Sequence, residues 1–312
     1  MTKKIAVIDL GTNTFHILIA EISSAGMKVL HTEKISVKIG RGGINDGLIT
    51  DSAQKRALNA LAHFKAKIDE YEEIEIFATA TSAIRSAKNG KDLVEKIRHQ
   101  TSIEVQIISG DLEAQYIYDA VKKGVKLGDE TSLIMDIGGG SVEFIICNEQ
   151  KIFWKESFEI GAQRLLDLFH YHDPILPEEI DNLVLFLTDR LLSLIQACRK
   201  YNPTVLVGSS GSFDTFSDIY RLKSGLKKNS EQTELPLSVD SFHKMHIDII
   251  SKNKDQRMAI PGMVEMRADM IVVASILVNF IIIRCDLKKV RVSSYSLKEG
   301  LLFNILDRLN NR

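Results

Sequence analysis

The run MDIGGGSVEF, Met135 to Phe144, sets three consecutive glycines between an aspartate and a glutamate, with apolar, strand-like flanks. Glycine loses more backbone entropy on ordering than any other residue and brings no side chain to pack, so such a run is costly in an ordinary strand. A second stretch gives it a context. DLGTNTFHILIA (Asp9 to Ala20) aligns with DIGGGSVEFIIC (Asp136 to Cys147): both read D-x-G-x-x-[S/T]-x-x, then three apolar residues and a small one, and each follows an apolar strand. A repeat at that separation predicts two related lobes, not a solenoid.

Around these two runs, strands and helices alternate. KIAVIDLG and TFHILIAEI form a hairpin about a Gly/Thr/Asn turn, and MKVLHTEKISVKIG continues as strand. TDSAQKRALNALAHFKAKIDEY is an amphipathic helix capped by Thr50 or Asp51. IEIFATAT and IEVQIIS read as strands, GKDLVEKIRHQT as a helix, and DLEAQYIYDAVKKG as a helix that stops at Gly124. The pattern then restarts. The expected division is a lobe over 1–124 and a lobe over 125–312, with a C-terminal helix over 297–312 packing back on the first.

A chain of 312 residues has room for about two domains with full cores. With 45% hydrophobic and 26% charged residues it reads as soluble and globular, and a net charge of −1 announces no global field for nucleic acid. Cys147, Cys198 and Cys285 are far apart, odd in number and without zinc spacing, which fits a reduced cytoplasmic protein. The N-terminal apolar run is broken by Asp9 and reads as a first strand, not a signal peptide. MIVVASILVNFIII (Met270 to Ile283) is short for a membrane span and reads as a buried core helix.

In each hairpin, glycines let backbone N–H groups approach an anion, and the Ser or Thr hydroxyl adds a donor. Asp9 and Asp136 then stand at strand ends beside that anion. Acceptor-only carboxylates there suit Mg²⁺ or its waters, not the phosphate itself. A plain tight turn explains one such loop as well; two copies with matching residues favour a phosphoryl cradle. Ser141 and Glu143 are two apart and share a face, and the repeat places His16 where Glu143 lies. The alternative for Glu143 is an exposed edge-strand residue.

Three further stretches carry chemistry less sharply. VLVGSSGSFDTF (Val205 to Phe216) is a strand, loop and helix start that presents amides to an anion or merely connects two elements. In IISGDLEAQYIYDA, Glu113 sits in a first helical turn, where pairing with the helix dipole explains it equally well. In ATATSAIRSAKNG, Arg85 falls just past a strand end, as a phosphate clamp or a surface arginine. The common P-loop and dinucleotide motifs are absent.

Taken together, IDLGTNTFHILIA, ATSAIRSAKN, IISGDLEA, MDIGGGSVEF, VGSSGS and LKEGLL, from Ile5 to Leu302, resemble the exopolyphosphatase / guanosine pentaphosphate phosphohydrolase family of the actin–sugar kinase–Hsp70 superfamily. The resemblance implies an α/β fold of two actin-like (ribonuclease H-like) lobes with a central cleft. It implies Mg²⁺-dependent (or Mn²⁺-dependent) hydrolysis of the terminal phosphate of inorganic polyphosphate, guanosine pentaphosphate, or both. Carried over by position, Glu113 and Glu143 are catalytic, and Asp136, Glu143 and Asp9 are on the metal side. Gly11, Thr12, Asn13, Thr14, Arg85, Gly138, Gly139, Gly140, Ser141, Gly208, Ser209 and Arg267 are the substrate-binding set. A cytoplasmic homodimer is expected, with neither nucleic acid nor membrane as partner. The alternatives are an alarmone-binding sensor and a small-molecule kinase of the same superfamily. The chain departs from the family in DLEA, where many members have two glutamates before the alanine, and in Ser294, Tyr295 and Lys298, where an Asp, a Gly and an Arg are common. It ends at Arg312 without the helical C-terminal region of longer relatives, which implies the short two-lobe branch and a weaker hold on long phosphate chains.

Overall fold

The two sequence repeats become the central hairpins of two separate sheets. The computed structural model describes residues 2–23, 26–227, 229 and 231–310. It divides into two compact units, Met1–Glu113 and Ala114–Arg312, each with its own apolar core.

The first unit holds β1 (Lys3–Leu10), β2 (Thr14–Ser23), β3 (Gly26–Ser36), β4 (Ile74–Ala80) and β5 (Val105–Ile107), in the order β3-β2-β1-β4-β5. β1, β2 and β3 are antiparallel, while β4 and β5 continue parallel to β1. Ile5 to Ile8 are buried without interruption, as a central strand covered on both faces requires. β2 instead alternates, with Phe15, Ile17 and Ile19 inward. The helices are α1 (Asp51–Ile68), α2 (Ser82–Ser86), α3 (Gly90–Thr101) and α4 (Gly110–Gly124), and the unit boundary falls within the first turn of α4. Thr50, not Asp51, caps α1, its Oγ1 accepting from the Ala53 amide at 3.3 Å. Ala53, Ala57, Ala60, Leu61, Phe64 and Ile68 form the buried stripe of α1 at helical spacing.

The second unit holds β6 (Ser132–Ile137), β7 (Val142–Cys147), β8 (Ile152–Phe158), β9 (Val205–Ser209), β10 (Glu234–Leu235) and β11 (Lys289–Ser293), in the order β10-β11-β9-β6-β7-β8. Without the short edge strand β10, the connectivity is that of the first sheet: three antiparallel strands, then two parallel ones beside the first. Its remaining helices are α5 (Ala162–Phe169), α6 (Pro177–Arg190), α7 (Leu192–Tyr201), α8 (Gly211–Lys223), α9 (Val239–Ile250), α10 (Lys254–Met258), α11 (Met270–Arg284) and α12 (Leu297–Asn310). α11 is the predicted apolar run. It is buried on almost every side and packs against α5, α6 and α9, which is why its sequence shows no polar face. α12 lies against α4 at Gly300, where a Cβ would stand 2.0 Å from the Tyr116 carbonyl oxygen. No helix among the described residues is long and apolar enough to cross a membrane.

Two strands are shorter than their sequences predict. The run after Met27 leaves the sheet at Ser36, because the amides of Val37, Lys38, Ile39 and Gly40 turn to the carbonyls of Asn13 and Thr12. β5 keeps only Val105–Ile107 of IEVQIIS.

Candidate active site

The two D-x-G hairpins close alike. The Gly11 amide donates to Thr14 O at 3.2 Å, and the Gly138 amide to Ser141 O at 3.0 Å. A Cβ would stand 2.9 Å from that oxygen at Gly11, where the turn would have to shift, and 3.0 Å from it at Gly138, a tight contact, so both turns favour glycine. Cross-strand register places Asp9 opposite His16 and Asp136 opposite Glu143, the correspondence read from the repeat.

What lies behind each loop was not visible in the sequence. In the first unit, Thr12 O accepts from the Ile39 and Gly40 amides, and Asn13 O from those of Val37 and Lys38. Arg56 reaches round to donate to Val37 O and Lys38 O at 2.7 and 2.9 Å. In the second unit the start of α5 does this work. The carbonyls of Gly138, Gly139 and Gly140 accept from the amides of Ala162, Gln163 and Gly161, at 2.9, 2.9 and 3.0 Å. Arg164, nearly buried and also bonded to Glu159, adds an Nε donor to Gly140 O at 2.9 Å. Gly161 allows the approach, since a Cβ there would meet Gly139 C and Gly140 N at 2.4 Å. With the carbonyls held on one side, the amides of Gly139, Gly140 and Ser141 donate to no acceptor among the described residues. Such a nest of backbone N–H groups suits an anion.

Asp136 and Glu143, a cross-strand pair, are buried at 5% and 1% exposure. Burial pushes the Asp136 carboxyl up to about 6, against the hydrogen bond from Ser209 and the positive charge of Arg267, while Asp214 pushes the same way as burial. Glu143 Oε1 accepts from Ser141 Oγ at 2.6 Å and from Ser157 Oγ, on β8, at 2.7 Å. The hydroxyls of Ser141 and Ser209 therefore both serve carboxylates. Gly208 has a packing role: a Cβ would stand 2.0 Å from the Phe213 ring.

Arg267 sits in the segment between α10 and α11, with its guanidinium against Gly211 at the start of α8. Burial lowers its pKa, while Asp214 and Asp136 raise it. Fully buried Arg257 steadies that segment through an Nε bond to Ala268 O at 2.6 Å. Asp214 was not singled out from sequence; burial pushes its carboxyl up to about 6, against Lys298 and Arg267.

In the first unit, α2 carries Arg85 and the first turn of α4 carries Glu113. Arg85 Nη1 donates to Glu113 Oε2 at 2.7 Å and to Ile108 O at 3.2 Å, with the two side chains 18% and 7% exposed. Arg85 is thus a partner of Glu113, a contact the sequence did not announce, and Glu113 is not an exposed residue that merely answers the helix dipole.

Among the described residues no group of three or more His, Cys, Asp or Glu side chains is arranged to hold a metal by itself. Mg²⁺ does not need one, since it is commonly bound by one or two carboxylates with waters and substrate phosphates completing its shell. The buried oxygen pair of Asp136 and Glu143 fits that mode.

A family model described as the Ppx/GppA phosphatase family matches residues 18–309. The chain is 42% identical to an exopolyphosphatase from Cytophaga hutchinsonii, whose crystal structure superposes with a TM-score of 0.93 over 98% of each chain. A Ppx/GppA family member from Aquifex aeolicus, 22% identical, shares the fold with a TM-score of 0.79 over 99% of each chain.

Proposed function

The chain belongs to the Ppx/GppA phosphatase family, and from that premise we propose that it is an exopolyphosphatase, removing the terminal phosphate of inorganic polyphosphate by hydrolysis. The observation that carries the reading is the Gly138–Ser141 loop, where the Gly138, Gly139 and Gly140 carbonyls are bound by the start of α5 while the amides of Gly139, Gly140 and Ser141 have no acceptor among the described residues, beside a buried carboxylate pair. Guanosine pentaphosphate ends in the same phosphoanhydride and is the second substrate we propose.

In this reading the loop amides bind phosphate oxygens and stabilise charge as the bridging bond breaks. Arg267 supplies a guanidinium to the same anion. Glu113 orients the attacking water and accepts its proton; a guanidinium partner suits a carboxylate in that role, not a carboxylic acid. Asp136 and Glu143 would hold Mg²⁺ or Mn²⁺, which when bound neutralises charge on the phosphate chain. Ser209, Ser141 and Ser157 fix those carboxylates by hydrogen bonding. We place the enzyme in the cytoplasm as a homodimer. Its three cysteines are unbridged and buried, and Leu185, Ile247 and Ile283 are exposed on α6, α9 and α11.

The test is orthophosphate release, with Mg²⁺ or Mn²⁺ present, from short polyphosphate, long polyphosphate, guanosine pentaphosphate and ATP in parallel. Release from polyphosphate chain ends, without comparable release from ATP, supports the reading. Tight binding of guanosine pentaphosphate with no release from any substrate would make the protein a sensor. Phosphoryl transfer from ATP to a small acceptor would make it a kinase.

A further inference from the structure

The two loops match in backbone but not in the polarity behind their hydroxyls. Thr14 closes the first loop and Ser141 the second, and each hydroxyl is bonded to the side chain two residues on. Thr14 Oγ1 lies 3.1 Å from His16 Nε2, and Ser141 Oγ lies 2.6 Å from Glu143 Oε1. A hydroxyl has one hydrogen to give and can accept through its oxygen. An ionised carboxylate only accepts, so Glu143 takes the hydrogen of Ser141 and leaves none for an anion. An imidazole N–H can do the opposite. If Nε2 carries hydrogen, Thr14 Oγ1 accepts from it and the Thr14 O–H points elsewhere.

We propose that His16 is a positioning residue that donates from Nε2 to Thr14 and thereby directs the Thr14 O–H onto a phosphate oxygen of the substrate. The first loop then supplies a hydroxyl donor, and the second supplies amides alone. The proposal rests on the reading that the Asp9–Thr14 loop binds phosphate. Two of the three states of the ring, the Nε2–H tautomer and the imidazolium, donate from Nε2, and an anion beyond Thr14 favours both over the third. His16 need not contact substrate. Its effect passes through Thr14, and the repeat D-x-G-x-x-[S/T]-x-x ends in a histidine, whose ring can donate, in one copy and in a glutamate in the other.

The experiment compares KM and kcat for short polyphosphate in Thr14→Val, His16→Leu, His16→Gln and the Thr14→Val/His16→Leu double variant, with melting temperatures on the same preparations. Thr14→Val and His16→Leu should each raise KM by ~10-fold or more, the scale of one hydrogen bond to a charged group, with little change in kcat or melting temperature. His16→Gln, whose side-chain amide can place an N–H near the same point, should keep KM close to wild type. The double variant should be no worse than either single one, because both remove the same bond. Should His16→Leu fail to fold, His16→Glu, which copies the Ser141–Glu143 arrangement, carries the same expectation. A wild-type KM in the His16 variant beside a raised KM in Thr14→Val would overturn the proposal alone. A wild-type KM in Thr14→Val would overturn the phosphate-loop reading and the proposal with it.

Discussion

Replacing Arg85 with alanine removes the guanidinium from Glu113, a carboxylate only 7% exposed. Removing one partner of a fully buried ion pair costs roughly 3–5 kcal/mol, and a single hydrogen bond to a charged group ~1.5–3 kcal/mol. Because Arg85 keeps 18% of its side chain in solvent, the cost should fall between those ranges, near ~3 kcal/mol. For a unit of this size that lowers the melting temperature by roughly 10 °C. Glu113→Gln keeps an amide oxygen for Arg85 to bond and should cost ~1 kcal/mol, yet lower turnover by ~10²–10⁴-fold, the scale of a lost general base. If Arg85 acts on the reaction through Glu113, Arg85→Ala lowers kcat, and Arg85→Ala/Glu113→Gln turns over no more slowly than Glu113→Gln alone. Thermal unfolding and steady-state kinetics on the four proteins provide the cycle. A raised KM with wild-type kcat and melting temperature in Arg85→Ala would refute the bracing argument and leave Arg85 as a simple phosphate clamp.

Gly211→Ala places a methyl group where the structure leaves 2.1 Å to Arg267 Nη2 and 2.7 Å to Cζ, so the guanidinium has to move. KM should rise as in Arg267→Ala, and the displaced, buried guanidinium should cost about 1–3 kcal/mol of stability, the scale of overpacking; an unchanged KM would separate Arg267 from substrate. The Asp214 carboxyl, pushed up to about 6 by burial, is protonated in both folded and unfolded protein below about pH 4 and disfavours folding increasingly as pH rises through 6. Asp214→Asn should therefore melt higher than wild type at pH 8, by up to ~3 kcal/mol in stability, and alike near pH 4; the opposite order at pH 8 would contradict it. Chelation with EDTA should abolish phosphate release, and added Mg²⁺ or Mn²⁺ should restore it; full activity in chelator would remove the metal from Asp136 and Glu143.

Much of the fold was legible because its signals are local. Alternation in β2, unbroken burial in β1 and the largely apolar α11 follow from which faces each element covers. The repeat was legible because the turn chemistry of Gly11 and Gly138 leaves few choices of residue. Other features depend on residues distant in sequence. Nothing in IGAQR declares that the amides of Gly161, Ala162 and Gln163 will bind the carbonyls of the triple-glycine loop, although a glycine just before a helix was a hint of close approach. Ser157 reaches Glu143 only because β8 pairs with β7 in that register, and Arg85 reaches Glu113 only because α2 and α4 follow neighbouring parallel strands. Ser209 reads as a substrate donor until β9 is seen beside β6, where its hydroxyl belongs to Asp136.

Hydrolysis at a chain end is tested most directly by supplying short polyphosphate to the wild-type enzyme in water enriched in oxygen-18 and analysing the released orthophosphate by mass spectrometry. Attack by water on the terminal phosphorus predicts one solvent oxygen in each orthophosphate released in a single cleavage, and loss of that signal in Glu113→Gln protein that still binds the substrate. Phosphate that leaves the chain without solvent oxygen, or reaches an acceptor other than water, would contradict the account.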